Sequence, residues 1–153
     1  MKTRYSLLTL FSLLLIFSFV LTCTAQPVNT PSSRTSPGKI TVIKKLSPKE
    51  AYELIRAKKH SPDFVILDVR TPEEFESGHI EGAININYHS ETFVEELNKL
   101  DKTKAYLVYC RTGRRSSDTT GIMTKQGFGE LYRIDGDISK WKSEKLPVVK
   151  SVK

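Results

Sequence analysis

Ala105-Tyr106-Leu107-Val108-Tyr109-Cys110-Arg111-Thr112-Gly113-Arg114-Arg115 is the stretch on which the reading of this chain turns. Its first five residues form a continuous apolar and aromatic run, the mark of a strand buried on both faces, and a segment able to form a helix follows the arginines. A cysteine between the carboxyl end of such a strand and the start of a helix sits where backbone N–H groups converge and the helix dipole favours negative charge. A free thiol, with a pKa of about 8.5, is mostly protonated at neutral pH, so a nucleophilic Cys110 needs that field and the arginines beside it. The same donors suit a small oxyanion, because guanidinium forks match groups that carry several oxygens.

Outward from this loop, strands alternate with helices. Ile40 to Leu46 alternates weakly and precedes Ser47-Pro48-Lys49-Glu50, a capping box with proline at the first helical position, which predicts a helix to about Lys59. Phe64 to Leu67 is a second buried strand, ending at Asp68-Val69-Arg70. Thr71-Pro72-Glu73-Glu74 repeats the cap signal and opens a short helix closed by Gly78. Ala83 to Asn87 is predicted as a brief strand, Glu91 to Leu100 as an amphipathic helix, and Arg115 to Gln126 as a helix ended by Gly127. Leu131 to Ile134 supplies a last strand and Ile138 to Trp141 a helical turn. Parallel strands need crossovers, and the crossovers here are helices, so the fold class is α/β: an open parallel sheet flanked by helices on both faces. Ligands of such sheets bind beyond the carboxyl ends of the strands, where Asp68 and Cys110 both fall.

With 153 residues the chain holds one ordinary domain plus extensions. Lys2 and Arg4 precede an apolar run from Leu7 to Leu21, which reads as an export signal over residues 1–25. Two endings fit: cleavage after Ala25, or lipidation of Cys23, since Val20-Leu21-Thr22-Cys23 resembles a bacterial lipobox with Thr22 where that pattern has Gly, Ala or Ser. An uncleaved anchor is a third outcome. Residues 26–38, rich in Pro, Ser, Thr and Asn, read as a flexible linker, and residues 39–150 as the folded domain. The domain is therefore expected outside the cytoplasm, either periplasmic or as a lipoprotein tethered to the membrane through the N-terminus. Cys23 and Cys110 are the two cysteines, so a mature chain that has lost or lipidated Cys23 leaves Cys110 without an intramolecular partner in an oxidising compartment. The formal charge of +7 loses two with Lys2 and Arg4, and the remainder is scattered lysine rather than a basic and aromatic stripe, which argues against a nucleic-acid partner.

Three ordered motifs carry a family resemblance: Asp68-Val69-Arg70-Thr71-Pro72-Glu73-Glu74-Phe75, Gly78-His79-Ile80-Glu81-Gly82-Ala83-Ile84-Asn85, and Tyr109-Cys110-Arg111-Thr112-Gly113-Arg114-Arg115-Ser116. Over about Lys39 to Val148 the chain resembles a single-domain rhodanese, a module of the thiosulfate sulfurtransferase type. It departs from the family near Asp135-Gly136-Asp137, where many members have a glycine pair before the segment ending in tryptophan, here Trp141. The resemblance implies a rhodanese-like sheet and a two-step transfer without cofactor or metal. Cys110 takes the outer sulfur of a donor such as thiosulfate as a persulfide, then passes it to a thiophilic acceptor: cyanide, a thiol or a protein. Loop N–H groups from Arg111 through Thr112, Gly113 and Arg114 to Arg115 would hold the anionic persulfide, and arginine side chains the sulfonate end of the donor. Which of Arg111, Arg114 and Arg115 does so stays open.

Cysteine-dependent phosphatases carry arginine six positions after the cysteine, where this chain has Ser116. The shorter loop favours sulfur chemistry over phosphatase or arsenate reductase activity. Asp68 and Arg70 are read as shaping the pocket, with Glu74 as a partner of Arg70. His79 is read as a turn-stabilising residue and Trp141 as packing near the pocket wall. His60 and His89 lie outside the motifs, and the histidine spacing offers no metal site. A non-catalytic alternative stays open: a sulfur carrier or interaction module on an exported stalk.

Overall fold

The computed structural model describes residues 41–150. The expected export signal, Cys23 and the expected linker lie outside the described residues. Five parallel strands, β1 (Val42–Leu46), β2 (Phe64–Asp68), β3 (Ala83–Asn85), β4 (Ala105–Tyr109) and β5 (Glu130–Ile134), form one sheet in the order β1-β5-β4-β2-β3. Central β4 pairs with both β2 and β5, and Asp68 lies in register with Tyr109, so the ends of β2 and β4 stand side by side.

Side chains alternate across the sheet and fill two cores. On one face Leu67, Tyr106, Val108 and Leu131 pack beneath α3 (Phe93–Asn98) and α4 (Arg114–Lys125), through Phe93, Leu97 and Met123. On the other, Ile66, Leu107, Tyr109, Tyr132 and Ile134 meet α1 (Pro48–Lys58) and α5 (Asp137–Ser143), through Ala51, Ile138 and Trp141. Burial on both faces is what the unbroken apolar runs of β2 and β4 require. Trp141 packs edge-on against Tyr52 at 5.9 Å and donates its indole N–H to the Pro147 carbonyl at 3.0 Å.

Elements with local signals begin where the sequence places them. Ser47 and Glu50 form a complete capping box at α1, and Thr71 and Glu74 do the same at α2 (Pro72–Glu76). β3 stops at Asn85 rather than Asn87, because the Asn85 amide turns back to donate to the Asp68 and Arg70 carbonyls, both at 3.0 Å, where the ladder would continue. α3 starts at Phe93 rather than Glu91: Thr92 makes no side-chain cap, and Ser90 closes a turn onto the Asn87 carbonyl just before it. His79 is buried as a turn residue, stacked 3.7 Å from Phe75 with Nδ1 2.9 Å from the Phe75 carbonyl.

The turn from β5 into α5 depends on Gly136. Its φ is +70°, and a Cβ there would stand 2.6 Å from the Cβ of Lys140, an atom fixed to the helix backbone. Gly82, at φ +79° with open space around it, isolates the backbone cost. Gly82→Ala is expected to lose about 1 kcal/mol in denaturant unfolding, the left-handed penalty alone. Gly136→Ala is expected to lose at least about 2 kcal/mol, because the clash adds to that penalty; equal losses in the two variants would contradict this account of the turn.

Candidate active site

Cys110 leaves the carboxyl end of β4, and the chain curls back over its sulfur. The Gly113 N–H donates to Sγ at 3.2 Å, and Sγ lies 3.8 Å from Ser116 Oγ. The curl needs Gly113 at φ +114°; a Cβ would press to 3.3 Å from Asp137 Oδ2. From Gly113 the chain passes into α4, so the helix N-terminus opens directly over the thiol. The Gly113 carbonyl is held in turn by Arg133 Nη2 at 2.8 Å and by the Ser116 hydroxyl at 3.1 Å.

The backbone of Cys110 is clamped from the β5–α5 turn. Its N–H donates to Asp137 Oδ1, its carbonyl accepts from Ile138 N–H at 3.2 Å, and the Arg111 carbonyl accepts from Ser139 N–H at 3.1 Å. Sγ lies at the floor of a cleft of about 280 Å³ walled by Tyr88, His89, Arg111, Thr112, Arg114 and Arg115. The cysteine itself is 1% exposed, whereas Arg111, Thr112 and Arg114 are exposed at the rim. Among the described residues neither the Arg111 nor the Arg114 guanidinium is held by a hydrogen bond, so both can turn to an incoming anion.

Arg115 differs. Its guanidinium makes a bidentate pair with Glu74, Nη1 to Oε2 at 2.7 Å and Nη2 to Oε1 at 3.0 Å, a fork geometry that fixes both groups. Glu74 therefore closes on Arg115 and not, as expected from sequence, on Arg70. The pair also draws α2 to α4 across the mouth of the loop. Arg115 holds its proton more tightly than usual because of Glu74, against some burial, with the Cys110 side chain adding to the effect.

Asp68 and Arg70 form a buried pair of their own, Nη2 to Oδ2 at 2.6 Å, with the Arg70 N–H and Nε also donating to Asp68. Arg70 Nη2 further donates to the Gly78 carbonyl at 3.0 Å. Burial works against the guanidinium's charge, and Asp68 more than restores it. The pair does not reach the amides of the Cys110 loop. It acts on the strand end, with the guanidinium 5.7 Å from the ring of Tyr109, the residue before Cys110, whose hydroxyl accepts the Ile80 N–H at 3.1 Å.

Four residues of the site were not assigned to it from the sequence. Tyr88 and His89 reach the cleft from the β3–α3 connection, which no local pattern foretells; the Tyr88 hydroxyl donates to Asp118 on α4 at 3.1 Å. Asp137 and Arg133 arrive from β5 and its turn, and only the departure from a glycine pair at Asp135-Gly136-Asp137 marks that place in the sequence.

The rhodanese-like domain model matches residues 47–144. The chain belongs to the rhodanese-like family. It is 35% identical over 102 residues to a thiosulfate sulfurtransferase, GlpE, of Coxiella burnetii, covering 67% of this chain and 90% of that protein. The corresponding GlpE of Pseudomonas syringae is 29% identical over 68% of this chain and 92% of its own length. Among solved structures, a rhodanese-related protein of Thermoplasma volcanium superposes with a TM-score of 0.60 at 29% identity, covering 71% of this chain and 99% of that one. A polysulfide-sulfur transferase homodimer of Wolinella succinogenes gives 0.58 at 29% identity, over 71% and 80%. The fold is that of these relatives, and the chain is a transferase of the rhodanese family.

The Glu74–Arg115 clasp makes a testable contribution to acid stability. Arg115 first, helped by the Thr71 N–H and opposed by burial, holds the Glu74 carboxyl at about 2, below its ordinary 4.5. A depressed carboxyl contributes stability that is fully present above the unfolded value and lost as pH falls through the folded one. Between about pH 5 and pH 2, Glu74→Gln is therefore expected to lose less stability than the wild type in denaturant titrations, while being less stable near pH 7. Parallel acid losses in the two proteins would show that the clasp contributes nothing.

Proposed function

We propose that this protein moves a sulfane sulfur from thiosulfate or a similar anion, through a Cys110 persulfide, to a thiophilic acceptor such as cyanide, a thiol or a protein. The observation that carries this reading is Sγ held by the Gly113 N–H at the floor of an arginine-walled cleft. A thiolate attacks the outer sulfur in line with the departing sulfite, the Sγ–S bond forms, and the S–S electron pair leaves with sulfite. The Gly113 amide and the α4 terminus meet the charge left on the persulfide. Arg115, fixed by Glu74, supplies a standing positive field, and Arg111 and Arg114 hold the sulfonate end during entry and release.

Loop length favours sulfur over phosphorus as the electrophile. Ser116 occupies the position where a phosphatase loop places its arginine, and its buried hydroxyl is used internally on the Gly113 carbonyl. The relatives named for thiosulfate and polysulfide transfer support the same class of donor. The reading of residues 1–25 as an export signal supports a site of action outside the cytoplasm, in the periplasm or on a tether at the membrane, where the acceptor is a thiol or protein of that compartment.

Purified protein given thiosulfate and cyanide is expected to release sulfite and thiocyanate, and Cys110→Ser to abolish both. Arg114→Ala is expected to raise KM for thiosulfate about tenfold, the loss of one charge-assisted hydrogen bond worth about 1.5 kcal/mol. Absence of turnover with both thiosulfate and polysulfide would overturn the proposal.

A further inference from the structure

Asp137 is a buried acid beside the nucleophile that the transfer scheme above does not use. It is 0% exposed, and its φ of +51° is a left-handed conformation that side-chain-bearing residues seldom adopt. Oδ1 accepts the Cys110 N–H, whereas Oδ2 is buried and accepts no hydrogen bond among the described residues. Oδ2 faces the catalytic loop at Gly113, where a Cβ would come within 3.3 Å of it, and Gly113 is the residue whose N–H holds Sγ. A carboxylate oxygen with its acceptor capacity unfilled is thus buried against the turn that carries the thiol.

We propose that Asp137 is the proton acceptor of Cys110, the two side chains sharing one proton in the resting protein. The inference rests on the sulfurtransferase reading for the identity of the electrophile only. In the step, the Sγ–H bond breaks, its electron pair stays on sulfur, and the proton goes to Asp137 Oδ2. The thiolate then takes the sulfane sulfur, and sulfite departs with the S–S pair. The proton stays on Asp137 until the acceptor, as thiolate or cyanide, removes the outer sulfur and frees Sγ to take it back. No oxidant or further base enters the cycle.

Two negative charges confined to this buried space repel, so the pair gives up its first proton more readily than its second. Ser116 on α4 and Cys110 at the end of β4 favour the charged form of Asp137, as does Arg133 on β5, although burial outweighs them and raises its pKa. On its own turn Asp135 is already paired, with Lys45 of β1 at 2.5 Å and Lys140 of α5 at 2.7 Å, and takes no part. A buried carboxylate whose charge is penalised by burial holds a proton more tightly than an exposed one, which makes it a better base toward the thiol beside it.

The test follows iodoacetamide alkylation of Cys110 in the full chain from about pH 5 to pH 10, read on the Cys110 peptide by mass spectrometry so that Cys23 does not interfere. The wild type is expected to rise in two steps, the lower one below neutrality. Asp137→Asn and Asp137→Gly are expected to show one thiol-like step, with the rate at about pH 6.5, relative to that at about pH 10, reduced about tenfold or more. Glycine relieves the left-handed backbone, so the second variant decides if the first does not fold. A rate at about pH 6.5 that is unchanged or increased in the folded variants overturns the proposal, since an acid that only repels the thiolate would act that way. Because alkylation needs no sulfur donor, a wild type with the two-step profile but no transfer activity counts against the sulfurtransferase reading and not against this one.

Discussion

The peptide units of Cys110 and Arg111 are gripped by a single turn, and the geometry of the site follows from that grip. At the end of β4 the sheet ladder runs out, and backbone polar groups that leave a ladder in a buried setting must find other partners. Here the turn that follows β5 provides them: the Asp137 carboxylate for the Cys110 N–H, Ile138 N–H for the Cys110 carbonyl, and Ser139 N–H for the Arg111 carbonyl. The turn can do so because β5 lies beside β4 in the sheet, and because Gly136 enters the left-handed region where a side chain would strike Lys140. Once the two peptides are fixed, Gly113 can fold its N–H onto the sulfur and start α4 in a defined place.

Charge in the site is divided by the same economy. Arg70 is neutralised by Asp68 within the core, where a lone guanidinium would be costly, and serves the end of β2 beside Tyr109. Arg115 is half committed, held in a fork by Glu74 while its field still reaches Cys110. Arg111 and Arg114 stay exposed at the rim of the cleft, where an entering anion would meet them first. Positive charge is thus fixed at the sulfur and mobile at the entrance, an arrangement suited to a donor that arrives as an anion and leaves as one.

Most of the fold was legible because its signals are local. The apolar runs of β2 and β4 state burial on both faces, and Ser47-Pro48 and Thr71-Pro72 start α1 and α2 through contacts that span three residues. The boundaries that shifted, at Asn85 and Phe93, are set by a side chain bonding back to a neighbouring strand and by a connecting turn. Within the site, the position of Cys110 was legible from a strand followed by a basic loop. The partner of Glu74 was not: 41 residues separate it from Arg115, and only the packed sheet brings α2 against α4. Asp137 was visible only as a departure from a glycine pair, since nothing in a hexapeptide tells that a carboxylate will turn inward beneath a thiol 27 residues earlier in the chain.

In the proposed transfer the cradle at Cys110 serves to hold a sulfur atom. Mass analysis of the Cys110 peptide, after the protein is exposed to thiosulfate and freed of excess donor, tests it most directly. The expected result is a gain of one sulfur atom on Cys110 that is lost on addition of cyanide. A Cys110 that is open to alkylation yet acquires no sulfur from thiosulfate or polysulfide would contradict it.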